Sequence, residues 1–258
     1  MSAASWGPLA RRAQYLNALG IDLWTARSAP APGRAPTEAV RVESPAPSPA
    51  SLAPAALATL APAPAQADGS TPAAWDALRA EVAACRRCAL CESRTQTVFG
   101  VGQRAAGVLV VGEAPGAEED RQGEPFVGRA GQLLNAMLRA LGRPRETVYI
   151  ANILKCRPPG NRDPSAAEVA SCLPYLHRQI DLLAPRLILV VGRIAAQSLL
   201  ATDTSIGRLR GHLHRFGAQG IPLMVTYHPA YLLRSPGEKR RAWTDLKAAR
   251  AELARVSA

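Results

Sequence analysis

No run of 18 or more consecutive apolar residues occurs in the chain, so a membrane-spanning helix is not expected. Nor does the N-terminus carry a basic segment followed by an apolar core, and a secretory leader is not expected either. Aromatic residues make up only 5% of the chain, and the 48% hydrophobic content is inflated by alanine, so any core must be mainly aliphatic. Cysteine is also sparse. Five cysteines in a chain expected to be cytoplasmic and nucleoid-associated argue against a disulfide framework and for metal, cluster or plain core thiols.

What is abundant is proline, unevenly placed. Residues 30–72 hold 10 of the 22 prolines, with mostly alanine and serine between them. Such a stretch buries too little apolar surface to offset its ordering entropy, so 29–72 is expected to be a disordered Ala/Pro-rich linker. The remaining segment, 73–258, is one domain's worth of chain. It also holds the charge. Before residue 71 there are five arginines and four acids, and the rest carries 26 bases against 16 acids, about +10 of the net +11. A domain this basic favours a polyanionic partner, most often nucleic acid.

Residues 1–28 form a third region. Pro8 to Gly20 has the spacing of a short amphipathic helix, and Ile21, Leu23 and Trp24 follow as further apolar positions. An apolar anchor on a long tether suits a partner-binding peptide, so residues 6–27 are expected to engage a replication or repair protein. Docking on the chain's own domain is the alternative.

From residue 107 onward apolar runs alternate with helical patterns. Strands are expected at Val108–Val111, Val148–Ala151, Leu187–Val191 and Pro222–Thr226. Helices are expected at Gly128–Leu141, Ser165–Leu183, Ile194–Leu200 and Glu238–Ala254. Continuous apolar strands between helices predict an α/β fold, a three-layer αβα arrangement around a four-stranded, mainly parallel sheet. Ligands of such sheets sit at the carboxyl ends of the strands. Gly112-Glu113-Ala114-Pro115-Gly116 follows the first strand, with Glu118, Glu119 and Asp120 close behind. Asn152 ends the second, and Tyr227-His228-Pro229 follows the fourth. A Glu, an Asn and a His therefore converge on one crevice beside Phe126.

The thiols make a second constellation. Cys85 and Cys88 form a C-x2-C, whereas Cys156 and Cys172 come much later. Four thiolates can hold zinc or an iron-sulfur cluster, and spacing alone does not choose between them. Cys91 offers a rival C-x2-C with Cys88.

Residues 85–250 resemble the family 4 uracil-DNA glycosylases, a bacterial and archaeal group that carries a [4Fe-4S] cluster. The likeness runs through Cys85-x2-Cys88, Arg94-Thr95-x3-Phe99-Gly100, Gly112 to Asp120, Glu124 to Gly131, Asn152-x3-Cys156-Arg157-Pro158-Pro159, Asn161-Arg162, Cys172 and His228 to Arg234. The resemblance implies that Cys85, Cys88, Cys156 and Cys172 hold the cluster, because Cys88 stands six residues before Arg94 as the family's second cysteine does. Cys91 is then a spare thiol. It implies hydrolysis of the N-glycosidic bond of uracil in DNA, by a protein expected to be a monomer. The alternative is a non-catalytic iron-sulfur DNA-binding protein of the same fold.

On that reading the target nucleotide is flipped into a pocket formed by Glu113, Ala114, Pro115, Gly116, Phe126, Asn152 and His228. Phe126 stacks on the base, Asn152 reads its O4 and N3–H, and His228 stabilises the leaving uracil anion. Glu113 and Glu119 are the candidate carboxylates for positioning the attacking water, and water held by backbone is the competing arrangement. Tyr231, Leu232 and Leu233 are expected as exposed-loop hydrophobes that wedge into the vacated stack. Arg234, Arg157 and Arg162 are expected on phosphate.

Overall fold

A computed structural model of the chain describes residues 72–256, apart from the side chain of Val256. The expected partner-binding peptide and nearly all of the expected linker lie outside the described residues.

Four buried apolar runs fold into strands β2 (Val108–Gly112), β3 (Tyr149–Asn152), β4 (Leu187–Val191) and β6 (Ile221–Thr226). All four are parallel: β2 pairs with β3 on one side and β4 on the other, and β4 pairs with β6. Every residue in them is buried, as two-sided coverage by helices requires. The sheet is nevertheless six-stranded and mixed. Two short antiparallel strands, β1 (Val101–Gly102) and β5 (Leu213–Phe216), close its edges in the order β1-β3-β2-β4-β6-β5. Sequence periodicity does not reveal them, because β1 has only two residues and β5 alternates between exposed and half-buried positions.

Helices cover the two faces separately. On one face lie α1 (Pro72–Ala83), α5 (Ala166–Leu183) and α6 (Arg193–Leu200), whose Trp75, Leu78, Leu176, Ile180 and Ala196 pack against Leu109, Val111, Ile188 and Val190. Trp75 is buried in that layer, edge-on to Phe99 at 5.4 Å and to Tyr149 at 5.1 Å. On the other face, α4 (Arg129–Leu141), α8 (Pro229–Arg234) and α9 (Lys239–Val256) bury Leu134, Leu138, Leu232, Leu246 and Leu253 against Val108, Val110, Leu189 and Met224. Burying each such leucine is worth about 1.5–3 kcal/mol. Three short helices, α2 (Leu90–Ser93), α3 (Ala117–Gln122) and α7 (Ile206–Leu209), complete the fold.

The helix boundaries have local causes. Ser165 caps α5 by accepting from the Glu168 backbone while the Glu168 carboxylate accepts from the Ser165 backbone. Gly142, at φ 77°, ends α4 in the left-handed conformation that glycine tolerates. Because β2 has β3 on one side and β4 on the other, the order in which strands are added reverses there, and the crevice at the carboxyl ends of these strands is where a ligand site belongs.

Candidate active site and thiol cavity

A cavity of about 450 Å³ opens at that crevice, lined by Glu113, Ala114, Pro115, Gly116, Glu119, Phe126, Asn152 and His228, and also by Arg162 and Arg234. Every residue expected around the base therefore lies at one site. Asn152 is the last residue of β3, 2% exposed, and its Oδ1 has no hydrogen-bond partner among the described residues. An unpaired buried acceptor costs roughly 1–3 kcal/mol, so a ligand donor is the natural complement. Gly112 makes the approach possible. A Cβ there would collide with Asn152 Oδ1 and stand 2.6 Å from the Phe126 ring.

Phe126 is held under strain. Its φ is 55°, a region that a bulky residue rarely adopts. Arg145 clamps the segment by donating to the carbonyls of Pro125 (2.6 Å) and Phe126 (3.3 Å). The first turn of α4 comes close enough that a Cβ on Gly131 would overlap the Phe126 carbonyl. The ring stands 5.6 Å from the His228 ring at 31°, so an aromatic wall and an imidazole flank the same space.

His228 precedes α8, and its Nδ1 accepts from the Ala230 N–H at 3.1 Å. That bond fixes the tautomer. With Nδ1 as the acceptor, the neutral ring carries its proton on Nε2 and is a donor. Burial, helped by the Arg234 charge, pushes the imidazole down to about 4, with Glu119 opposing. The ring is therefore neutral near pH 7.

The carboxylates divide into two roles. Glu119 Oε1 accepts from the backbone N–H groups of Val127 (3.0 Å) and Gly128 (3.1 Å), and Oε2 accepts from Gly116 (3.1 Å). It ties the turn after β2 to the Phe126 segment, and both of its oxygens are engaged. Glu113 makes no side-chain hydrogen bond among the described residues. Burial and the nearby Asp163 push its carboxyl above the usual carboxylate range, against the opposing pull of Arg193.

The expected DNA-contacting segment is the helix α8 rather than a loop. Tyr231 and Leu233 are each 37% exposed, but Leu232 is 1% exposed and packs in the core. The expectation that Leu232 is an exposed wedge is corrected by helical periodicity, which turns the middle residue of three inward. Arg162 is not a free cation: its guanidinium grips Glu168 at 2.6 and 2.9 Å and pulls that carboxyl down to about 2. Arg157 bonds Asn161 at 2.8 Å, and Arg234 lines the cavity.

A second, narrower cavity is lined by all five cysteines together with Arg94, Lys155 and Tyr175. Cys156 and Cys172 are buried, and burial pushes the Cys172 thiol up to about 11. Arg94 Nη1 donates to Cys156 Sγ at 3.1 Å, and the Lys155 backbone N–H donates to Cys172 Sγ at 3.2 Å. Among the described residues no three of them gather around a point that a single ion could occupy.

Sequence reading missed the residues that brace these two sites. Lys155 is fully buried, and its Nζ donates to the Asn152 carbonyl at 2.9 Å and to Gln179 Oε1 at 2.6 Å. It links the end of β3 to the thiol cavity. A lysine between an apolar strand and a cysteine was the available signal. Arg145 and Asp163 carried none, since each is an ordinary polar residue until the fold brings one to the Phe126 segment and the other to the crevice.

The chain is similar to known proteins over most of the described residues. A family model described as the Uracil DNA glycosylase superfamily matches residues 99–247. The chain is 43% identical over 173 residues to a type-4 uracil-DNA glycosylase of Archaeoglobus fulgidus, covering 65% of this chain and 87% of that protein. It is 44% identical over 168 residues to one from Pyrobaculum aerophilum (63% and 86%) and 42% identical over 159 residues to one from Thermotoga maritima (61% and 82%).

Proposed function

The chain belongs to the uracil-DNA glycosylase superfamily, and on that premise we propose that it hydrolyses the N-glycosidic bond of uracil in DNA, releasing the base and leaving an abasic site. The observation that carries this reading is the unpartnered Oδ1 of Asn152, buried beside Phe126 and His228 in one cavity. Uracil presents an N3–H donor and an O4 acceptor, which match the Oδ1 and Nδ2 of one amide. Cytosine presents an acceptor and a donor at the same places, so the amide would face like groups. A buried mispaired amide discriminates strongly.

The base reaches this cavity only when extruded from its stack. The Phe126 ring, held by Arg145 and Gly131, supports the flipped base. As the C1′–N1 bond breaks, negative charge gathers on the uracil, and the Nε2–H of neutral His228 stabilises it without first losing a proton. One such donor contributes roughly 3 kcal/mol at comparable sites. Thymine adds a 5-methyl group, and the Ala114 to Gly116 turn, pinned by Glu119, is the wall it would meet. Glu113, whose carboxylate is unengaged, orients the attacking water.

The cysteine cavity fits an iron-sulfur cluster. The donor set is all sulfur, the thiols line one cavity, and two N–H groups already point at sulfur atoms. Four thiolates are the usual ligand set of such a cluster. Cys85, Cys88, Cys156 and Cys172 would hold it, leaving Cys91 spare. When bound it supplies a covalent clamp between the domain entrance and the loop after β3, and hydrolysis asks no redox step of it. Residues 6–27 are proposed to recruit a replication or repair protein, and the domain to work as a monomer.

Uracil release from a single-uracil oligonucleotide, with thymine and cytosine controls, tests the reading. Release from the uracil strand alone, leaving an alkali-labile site, is expected. Tight DNA binding with no release from any strand would sink it in favour of a non-catalytic binder.

A further inference from the structure

The two helical layers carry opposite electrostatic designs. Helices α1, α5 and α6 hold three arginines and four acids. Two of those arginines are neutralised locally, Arg178 by Glu81 and Arg193 by Asp163. Helices α4, α8 and α9 instead hold nine Lys or Arg and two acids, Asp245 and Glu252, which are both buried. On α9 the exposed positions Arg240, Trp243, Lys247 and Arg250 fall at intervals of three, four and three and so form one stripe. No carboxylate pairs with Arg240, Lys247 or Arg250 among the described residues. Trp243 stands in the middle of the stripe and is 45% exposed, the most exposed large hydrophobic of the described residues.

The direction of the stripe is set by two buried acids. Asp245 accepts from Thr226 at the carboxyl end of β6, whereas Glu252 faces Arg215 beside the start of that strand. Helix α9 therefore begins at the level of the cavity mouth and descends away from it. Arg240 and Trp243 stand above the Thr226 level, close in sequence to Arg234, which lines the cavity. Lys247 and Arg250 lie below, and the stripe spans about 15 Å at the helical rise.

Resting on the reading that the substrate is DNA, we propose that this stripe is a second nucleic-acid track, which holds the single strand flanking the target base, with Trp243 as a stacking platform. A basic groove that follows the backbone beside an aromatic face is how single strands are held without sequence preference. Continuity with Arg234 brings the strand to the stripe. The turn over the end of α9 selects a flexible strand, because a stiff duplex crossing the mouth would meet only the Arg240 end.

The test uses the full chain with its cofactor and two single strands: a short one that ends beside the target base and a long one that reaches well past it. Binding is measured on strands carrying thymine in place of uracil, so this arm needs no turnover. Trp243→Ala is expected to weaken binding of the long strand about tenfold and leave the short strand unchanged. The triple variant R240Q/K247Q/R250Q is expected to lower the salt slope on the long strand by about 2. Trp243→Phe is expected to restore most of the affinity, which separates stacking from a folding defect. Equal losses on both strands, or no loss on the long one, would overturn the track. Absent uracil release with the length-dependent losses intact would instead overturn the catalytic reading and leave the track standing.

Discussion

The helical layers on the two faces of the sheet have the same kind of apolar interior but different surfaces. The α1, α5 and α6 layer pairs its charges and walls the thiol cavity. The α4, α8 and α9 layer pairs Arg241 and Arg255 but leaves Arg240, Lys247 and Arg250 without a carboxylate partner among the described residues, and it exposes an indole. The difference separates two designs that the parallel sheet holds together: one face neutralises most of its cations locally, and the other carries the charge that the proposed nucleic-acid track uses. The crevice lies at the strand ends between them, drawing Asn152 from β3, Glu113 from the turn after β2, and Phe126 and His228 from the basic side.

The comparison breaks most completely through the thiols. Cys156→Ser or Cys172→Ser is expected to drop iron and sulfide to background and to cause the largest fall in melting temperature, read by metal analysis and thermal unfolding. If the thiols are plain core residues, the purified wild type carries no iron at all. Gly112→Ala comes next. Its new methyl group would occupy the space of Asn152 Oδ1 and the Phe126 ring, so uracil release should fall to background while DNA binding persists. His228→Ala removes the donor to the leaving base together with the Nδ1 acceptor that caps α8, and is expected to lower kcat about 10²- to 10³-fold with little change in KM. An unchanged kcat would remove His228 from the chemistry.

A pH profile sharpens the carboxylate roles. Burial and Asp163 raise Glu113, so if its ionised form orients the water, uracil release should fall with acid above the ordinary carboxylate range. Glu113→Gln should flatten that limb and lower the plateau. His228 adds no limb near neutrality, because its imidazole stays neutral down to about 4. Its effect on folding has a definite sign. The folded-state value lies below the usual 6.5, so the unfolded chain takes up the proton first, and stability falls as pH drops from about 6.5 towards 4. The smallest effect is a contrast between the layers. Arg178→Gln loses an exposed ion pair worth about 0.2–1 kcal/mol and should leave DNA affinity unchanged, whereas Arg250→Gln should leave stability unchanged and reduce the salt dependence of binding.

Much of this architecture is legible in the residues. Each central strand is a continuous apolar run, so its burial on both faces follows from composition alone, and the helical spacing of α4, α5 and α9 gives their inward faces. The strand-end rule brings Glu113, Asn152 and His228 together without any coordinates. The edge strands were not legible, because two residues carry no period and an edge needs only one buried face. Leu232 was misplaced because a loop was expected where Pro229 starts a helix, and a helix of six residues is enough to turn the middle side chain inward. The C-x2-C pair announces a ligand set, but which cysteines face one cavity depends on where α5 lies against the loop after β3.

The sequence by itself determined the parallel sheet, the basic character of the domain and the chemistry available at the strand ends, since each follows from residue type and short-range period. Tertiary structure alone decided that Gln179 anchors the Lys155 ammonium beside the Asn152 carbonyl, that Arg145 clamps the Phe126 segment, and that Arg178 meets Glu81. Those are contacts between residues far apart in the chain, and only closure of the fold brings their partners within hydrogen-bonding distance.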